Sequence, residues 1–183
     1  MKSVRPVLAI LTASLLLAAC GKASETTSEK LAEKLIESQM TKDGTKANVD
    51  LSSGAAKITT TDASGKTATM ELGGAKVSEA DLGIPFYPGS SPVDNAASRT
   101  VTPDGVVVSV TLNSSDPADK VADFYRDKLR AQSQGKQFMD MGGEGEATLM
   151  VVDGKSKTST QVHVAKADNG SEITIVSSRK GAE

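Results

Sequence analysis

Tryptophan is absent from this 183-residue chain, histidine and cysteine occur once each, and aromatic residues make up only 3%. Each shortage removes a class of function. A single histidine, His163, excludes any centre that needs two imidazoles, including the paired histidines of common zinc hydrolases. A single cysteine, Cys20, excludes an internal disulfide, so packing and hydrogen bonds have to hold the fold. Phe86, Tyr87, Phe124, Tyr125 and Phe138 are the whole aromatic set. They are dispersed and lack interleaved arginines, which is the pattern of core residues rather than of a base-stacking platform. The 21 basic and 23 acidic residues nearly cancel, so nothing here attracts a nucleic acid. No stretch reaches the roughly 20 apolar residues that a bilayer-crossing helix needs.

What is present begins with an address. Lys2 and Arg5 precede an apolar run from Val7 to Leu17, and small residues follow, in the order of a secretory signal. The run is too short to remain as a membrane span. Leu17, Ala18, Ala19 and Cys20 resemble the lipobox of bacterial lipoproteins. That resemblance implies cleavage between Ala19 and Cys20, a diacylglycerol thioether on the Cys20 sulfur, and in many Gram-negative species a third acyl chain, such as palmitate, on the freed amine. One acyl chain holds a protein to a membrane only marginally, whereas burial at about 0.8 kcal/mol per CH₂ makes two or three chains lasting. Gly21, where the enteric inner-membrane signal has Asp, implies the outer membrane rather than the inner, on the periplasmic side. Loss of Lys2 and Arg5 takes the net charge from −2 to −4. Residues 20–27 then read as a lipidated, solvated tether.

The mature chain reads as α+β, arranged as two small helix-plus-antiparallel-sheet modules. In the first, residues 28–72, Leu31, Ala32, Leu35, Ile36 and Met40 recur at helical spacing. Three short strand patterns follow, Ala47–Leu51, Ala56–Thr61 and Thr67–Leu72, punctuated by turn residues at 52–54 and 62–65. This is a helix followed by a three-stranded meander. Residues 73–96 hold many glycines and prolines and read as a connecting segment. The second module, residues 97–183, has the pattern ββαβββ. Strand Ser98–Thr102 and strand Val106–Leu112 flank a Pro103-Asp104-Gly105 turn. Ser115, Asp116 and Pro117 start a helix that buries Val121, Phe124, Tyr125 and Leu129. Gln132–Gly145 reads as loop, and strands Glu146–Val152, Thr158–Lys166 and Glu172–Ser178 complete the unit. The Ser-Asp-Pro helix start leading to Phe-Tyr after a strand resembles small envelope lipoproteins, a likeness that carries no activity with it.

Candidate chemistry is thin. His163 alternates with Val162 and Val164, as a surface strand residue does. Asp140, Glu144 and Glu146 offer oxygen ligands but lack the regular spacing of a calcium loop. Ser133 with Lys136, and Ser177 with Lys180, have Ser-x-x-Lys spacing without the accompanying motifs. Gly65-Lys66-Thr67 and Gly154-Lys155-Ser156 imitate the end of a phosphate-binding loop, but Thr60 and Leu149 stand where the earlier glycine belongs. Asp62, Asp153 and Asp168 are explained by turn chemistry. Leu82, Ile84, Phe86 and Tyr87 are apolar residues of the connecting segment and form the one stretch that suggests a binding groove.

The expectation is therefore a lipid-anchored envelope protein without catalysis or cofactor, which binds, supports or assists. Its partners would be the membrane, through lipid on Cys20, and an envelope protein. The alternatives are an envelope hydrolase or hydrolase helper using Asp, Glu or Ser chemistry, and a small-ligand carrier with an apolar cavity between sheet and helices.

Overall fold

The structure, a computed structural model, describes residues 23–41, 45–52 and 54–181. The signal, Ala19 and Cys20 lie outside the described residues. In chain order the elements are α1 (Ala23–Met40), β1 (Lys46–Ser52), β2 (Ala55–Thr61), β3 (Thr67–Leu72), α2 (Glu79–Leu82), β4 (Ser91–Thr102) and β5 (Gly105–Ser114). After them come α3 (Ala118–Gln132), β6 (Gln137–Gly143), β7 (Glu146–Asp153), β8 (Thr158–Ala167) and β9 (Gly170–Lys180). All the strands join one antiparallel sheet in the order β1-β2-β3-β4-β5-β9-β8-β7-β6.

That single sheet corrects the expectation of an α+β chain of two helix-plus-sheet modules: the described residues form a β-rich fold built on one nine-stranded antiparallel sheet. β3 is not an edge. It pairs with β4 from Thr69 opposite Val101 to Leu72 opposite Ser98, so the ladder runs without a break from the first meander into the second half. The physical reason lies in the backbone. Apolar patterning reports which face of a strand is buried, but not which other strand takes up its free N–H and C=O groups. β4 begins at Ser91, seven residues before the apolar pattern indicates, but pairs with β3 through Ser98–Val101, inside the expected strand.

The turns form where the sequence places them. Asp62 Oδ1 accepts hydrogen bonds from the backbone N–H groups of Ser64 at 2.8 Å and Lys66 at 2.9 Å. Asp153 Oδ1 does the same for Lys155 at 2.9 Å and Ser156 at 3.2 Å. Three boundaries differ. α1 starts at Ala23 rather than Ser28, which leaves only Gly21 and Lys22 between Cys20 and the helix. α3 is capped by Pro117 with no side-chain bond, and Ser114 Oγ instead accepts from the Asp116 N–H at 3.1 Å. β6 is a strand in a stretch that reads as loop, because a largely exposed edge strand, here with only Phe138 partly buried, needs no apolar alternation.

The sheet exchanges its apolar side partway across. From β5 to β9 the inward face carries Val108, Val110, Leu112, Leu149, Val162, Val164, Ile173 and Ile175, all buried, with Val121, Tyr125 and Leu129 of α3 packed upon them. In β1–β3 that same face is polar, and Lys57 pairs with Glu71 across it at 3.0 Å. The apolar residues of these strands, Val49, Leu51, Ile58, Met70 and Leu72, lie on the opposite side, where Leu72 stands beside Ser98 and Met70 beside Thr100. α1 packs against β1. It shields the strand edge by lending two carboxylates, since the N–H groups of Val49 and Leu51 donate to Glu37 Oε1 and Glu33 Oε1, each at 2.8 Å.

Candidate binding surface

The expected binding segment lies mostly within the core. Leu82, Ile84 and Tyr87 are 0, 2 and 6% exposed, and Phe86 packs partly buried beside them. Local rules hold the segment in place. Ser78 and Asp81 form a reciprocal capping box at the start of α2, and Gly83 ends it at φ 71°. Asp81 then ties α2 to the sheet through Arg99 at 2.7 Å and Arg179 at 3.3 Å. The Arg99 guanidinium, with the Ser78 hydroxyl and N–H, holds the Asp81 carboxyl far below the usual carboxylate range. At the other end of the segment the Tyr87 hydroxyl donates to Asp116 Oδ2 at 2.6 Å, and Lys120 reaches the same oxygen at 3.0 Å. The Tyr87 bond and the Lys120 charge lower the Asp116 pKa, while Asp116 raises that of Tyr87. These contacts fasten both ends of the segment to the rest of the fold.

Of the other candidates, Asp140 is held by Arg126 at 2.7 Å and lines a small cleft of about 170 Å³ together with Asp119, Asp123 and Glu146, while Glu144 lines a separate cleft at the start of α3. Among the described residues no three His, Cys, Asp or Glu side chains gather in a way that suits a metal ion. Ser177 points into the core face and Lys180, three residues on, belongs to the opposite one. The Ser133 hydroxyl is spent on the Arg130 carbonyl at 2.8 Å. A cleft of about 570 Å³ opens at the start of α3, and its ionisable lining, Asp119, Glu144, Lys166 and Asp168, mixes both charges.

His163 makes the closest approach to a catalytic arrangement. Its Nδ1 lies 3.0 Å from Thr148 Oγ1, and its Nε2 lies 3.8 Å from Glu146 Oε1. Acyl transfer also needs backbone donors aimed at a developing oxyanion. β7 lies between β6 and β8, and its amides are engaged in the ladder. The trio sits on the open face of the strands.

That open face is the feature sequence patterning missed. Register places Leu51, Ala56, Leu72, Ser98, Ser109, Val176, Gln161, Met150 and Met139 in one row across all nine strands. The row on one side of it runs Ile58, Met70, Thr100, Val107, Ser178, Ser159 and Val152, and the row on the other runs Thr111, Thr174, His163, Thr148 and Met141. Apart from His163, none of these side chains is ionisable. Hydroxyls bond one another across the strands, Ser98 to Ser109 at 2.9 Å and Ser159 to Ser178 at 2.8 Å, which spends part of their capacity for water. Met70, Leu72, Val107, Met139 and Met141 are exposed, Met141 at 54%. α3 lies on the other side of the sheet, so from β3 to β9 this surface carries no helix among the described elements. The signal for it is the alternation of Ser and Thr with Val and Ile in β5, β8 and β9, which becomes a surface only when the register is known.

Comparison of the chain with protein-family models, with curated proteins and with solved structures finds no match.

Proposed function

We propose that this protein is a lipid-anchored, non-catalytic binding module of the bacterial cell envelope, tethered through Cys20 on the periplasmic side of the outer membrane, and that it engages an envelope protein through the open face of its sheet. The observation that carries the binding reading is that face, spanning the sheet with three adjoining rows that hold no Asp, Glu, Lys or Arg. Monomeric proteins rarely leave broad uncharged and partly apolar surfaces uncovered, and such surfaces mark contact sites. The anchor reading rests on the Leu17-Ala18-Ala19-Cys20 motif, and α1 starting at Ala23 would hold the body close to the lipid.

Two measurements test the two parts. Mass spectrometry of the purified amino-terminal peptide should find acylated Cys20, and Cys20→Ala should move the protein from the membrane to the aqueous fraction. Equal partition of parent and variant refutes the anchor. Photo-crosslinkers placed at Ser109 and Gln161 should capture a discrete partner in intact envelopes, and one placed at Asp127 on α3 should not. Equal capture from both sides of the sheet refutes the binding face.

A further inference from the structure

α1 turns two chemically different sides to its surroundings. Glu29, Glu33 and Glu37, spaced four residues apart, face β1. Glu33 accepts from the Leu51 amide and Glu37 from the Val49 amide, and Glu29 stands beside Leu51 and Ser52. Lys30 with Lys34, and Leu31 with Leu35, form two neighbouring rows on the side turned away from the sheet. Leu31 and Leu35 are 66 and 64% exposed, the most exposed large apolar side chains among the described residues. Neither lysine pairs with a carboxylate among the described residues.

What meets this side follows from what precedes the helix. Only Gly21 and Lys22 separate Cys20 from the start of α1. At a rise of about 1.5 Å per residue, Leu31 and Leu35 lie roughly 12 and 18 Å along the helix from Ala23, so lipid on Cys20 keeps both within reach of a bilayer surface. Leucines flanked by lysines are the composition of a helix lying in the membrane interface, where the apolar side chains enter the acyl boundary and the ammonium groups stay among the headgroups. A lysine held there favours an anionic surface about fivefold. Glu33 and Glu37, which such a surface would repel, are turned away from it with their oxygens bonded to β1.

We propose that Lys30, Leu31, Lys34 and Leu35 dock α1 along an anionic phospholipid surface, as a second membrane contact beside the acyl chains of Cys20. The proposal rests on the anchor reading, because two leucines and two lysines make a weak contact that becomes effective when the lipid makes it intramolecular. Docking then sets the direction of the whole body. α1 packs against β1, the first strand in the order of the sheet, so the sheet meets the bilayer edge-on with β6 at its far end. Neighbouring strands are about 4.8 Å apart, which places β6 roughly 40 Å from β1 across the sheet. The open face rises away from the membrane, where a partner can reach it.

A fluorophore that shifts to the blue in apolar surroundings tests the contact when placed on Ser38→Cys, an exposed position on the same side of α1. The acylated protein, whose Cys20 sulfur is closed by its thioether and takes no label, is reconstituted in vesicles of phosphatidylethanolamine and phosphatidylglycerol. The Ser38 probe should shift to the blue and be quenched by nitroxide-labelled lipid, whereas a probe on Asp127→Cys of α3 should stay in water. Lys30→Gln with Lys34→Gln should lower the ratio of docked to free helix about 25-fold. Leu31→Gln with Leu35→Gln should lower it at least about 10-fold. All four side chains are exposed, so the circular dichroism and thermal midpoint of each variant should match those of the parent. An acylated chain whose Ser38 probe stays in water, or is equally shielded before vesicles are added, overturns the contact and leaves the anchor standing. If Cys20 carries no lipid, the anchor reading fails, and the same probe in a Cys20→Ala background decides the helix: a blue shift with vesicles in excess upholds its contact, and none overturns it.

Discussion

Glu33 and Glu37 lie one turn apart on α1 and close the β1 edge with carboxylate oxygens, each 2.8 Å from a strand N–H. β1 has β2 on one side only, so the outward amides of Val49 and Leu51 have their partners in these two groups. A hydrogen bond to an ionised acceptor contributes about 1.5–3 kcal/mol when shielded from water. Both glutamates are half-buried, and screening brings the effect closer to about 1 kcal/mol each. Since 1.4 kcal/mol is a factor of ten in an equilibrium, Glu37→Ala should speed hydrogen exchange at the Val49 amide about fivefold. Glu33→Ala should act likewise at Leu51, and the double variant should accelerate both amides as α1 lifts. Glu37→Gln retains a neutral acceptor and should fall between parent and alanine. Leu35→Ala, at a side chain 64% exposed on the outer surface of the helix, should change neither amide. Two-dimensional NMR exchange rates read each site separately. If Val49 and Leu51 exchange at the parental rate in the double variant, the carboxylates do not guard the edge and α1 is held by packing alone.

Other perturbations test how the fold is fastened. Leu82→Ala empties a fully buried position and should cost about 2–5 kcal/mol in urea unfolding, as large-to-small core changes do. Gly170 has φ 127°, and a Cβ there would stand 2.1 Å from the Ser114 carbonyl oxygen. Gly170→Ala should therefore destabilise the chain by at least about 2 kcal/mol by the same measurement. Asp81 has a folded pKa lowered by Arg99 and Ser78. The unfolded chain, with an ordinary carboxyl near pH 4, takes up its proton first as the pH falls. The contribution of Asp81 is thus complete above that value and is lost on further acidification. Asp81→Asn should lower stability at pH 7 by about 1–2 kcal/mol. It should also flatten the decline below pH 4, and an unchanged acid slope refutes the linkage.

Local patterns were legible where one residue type dictates a backbone state. Asp62 and Asp153 at turns, and the alternating valines of β5, form what their sequence indicates. The Val121, Tyr125 and Leu129 stripe of α3 lies in the core as its spacing requires. What patterning missed depends on pairing between distant strands. Nothing in Thr69–Leu72 names Ser98–Val101 as its partner, because backbone hydrogen bonds are indifferent to side-chain identity. The candidate surfaces follow the same logic. Leu82, Ile84, Phe86 and Tyr87 look like a groove when read linearly, yet burying Leu82, Ile84 and Tyr87 against the sheet removes more apolar surface from water. Met139 and Met150 are 11 residues apart along the chain and become cross-strand neighbours only once the β6-β7 register is set.

The exchange of apolar sides has a consequence for local stability. The buried cluster under α3 and its partly buried neighbours draw no residue from before Val77. β1–β3 are joined to the rest through the ladder from Thr69 to Leu72 and its partners in β4. Backbone ladder bonds contribute about 1 kcal/mol net apiece, whereas each fully buried aliphatic side chain contributes about 1.5–3 kcal/mol. In β1–β3 only Val49 is buried, against Leu112, Leu149, Val162, Val164, Ile173 and Ile175 at 0% exposure on β5, β7, β8 and β9. Opening of β2 should therefore need several kcal/mol less than opening of β9, even though both belong to one sheet. Native-state exchange in low urea should show Ile58 and Thr60 opening through a sub-global event while Ile173 and Ile175 exchange only on complete unfolding. Equal opening energies at the two sites would mean that the ladder through β3 and β4 couples the whole sheet more strongly than its packing implies.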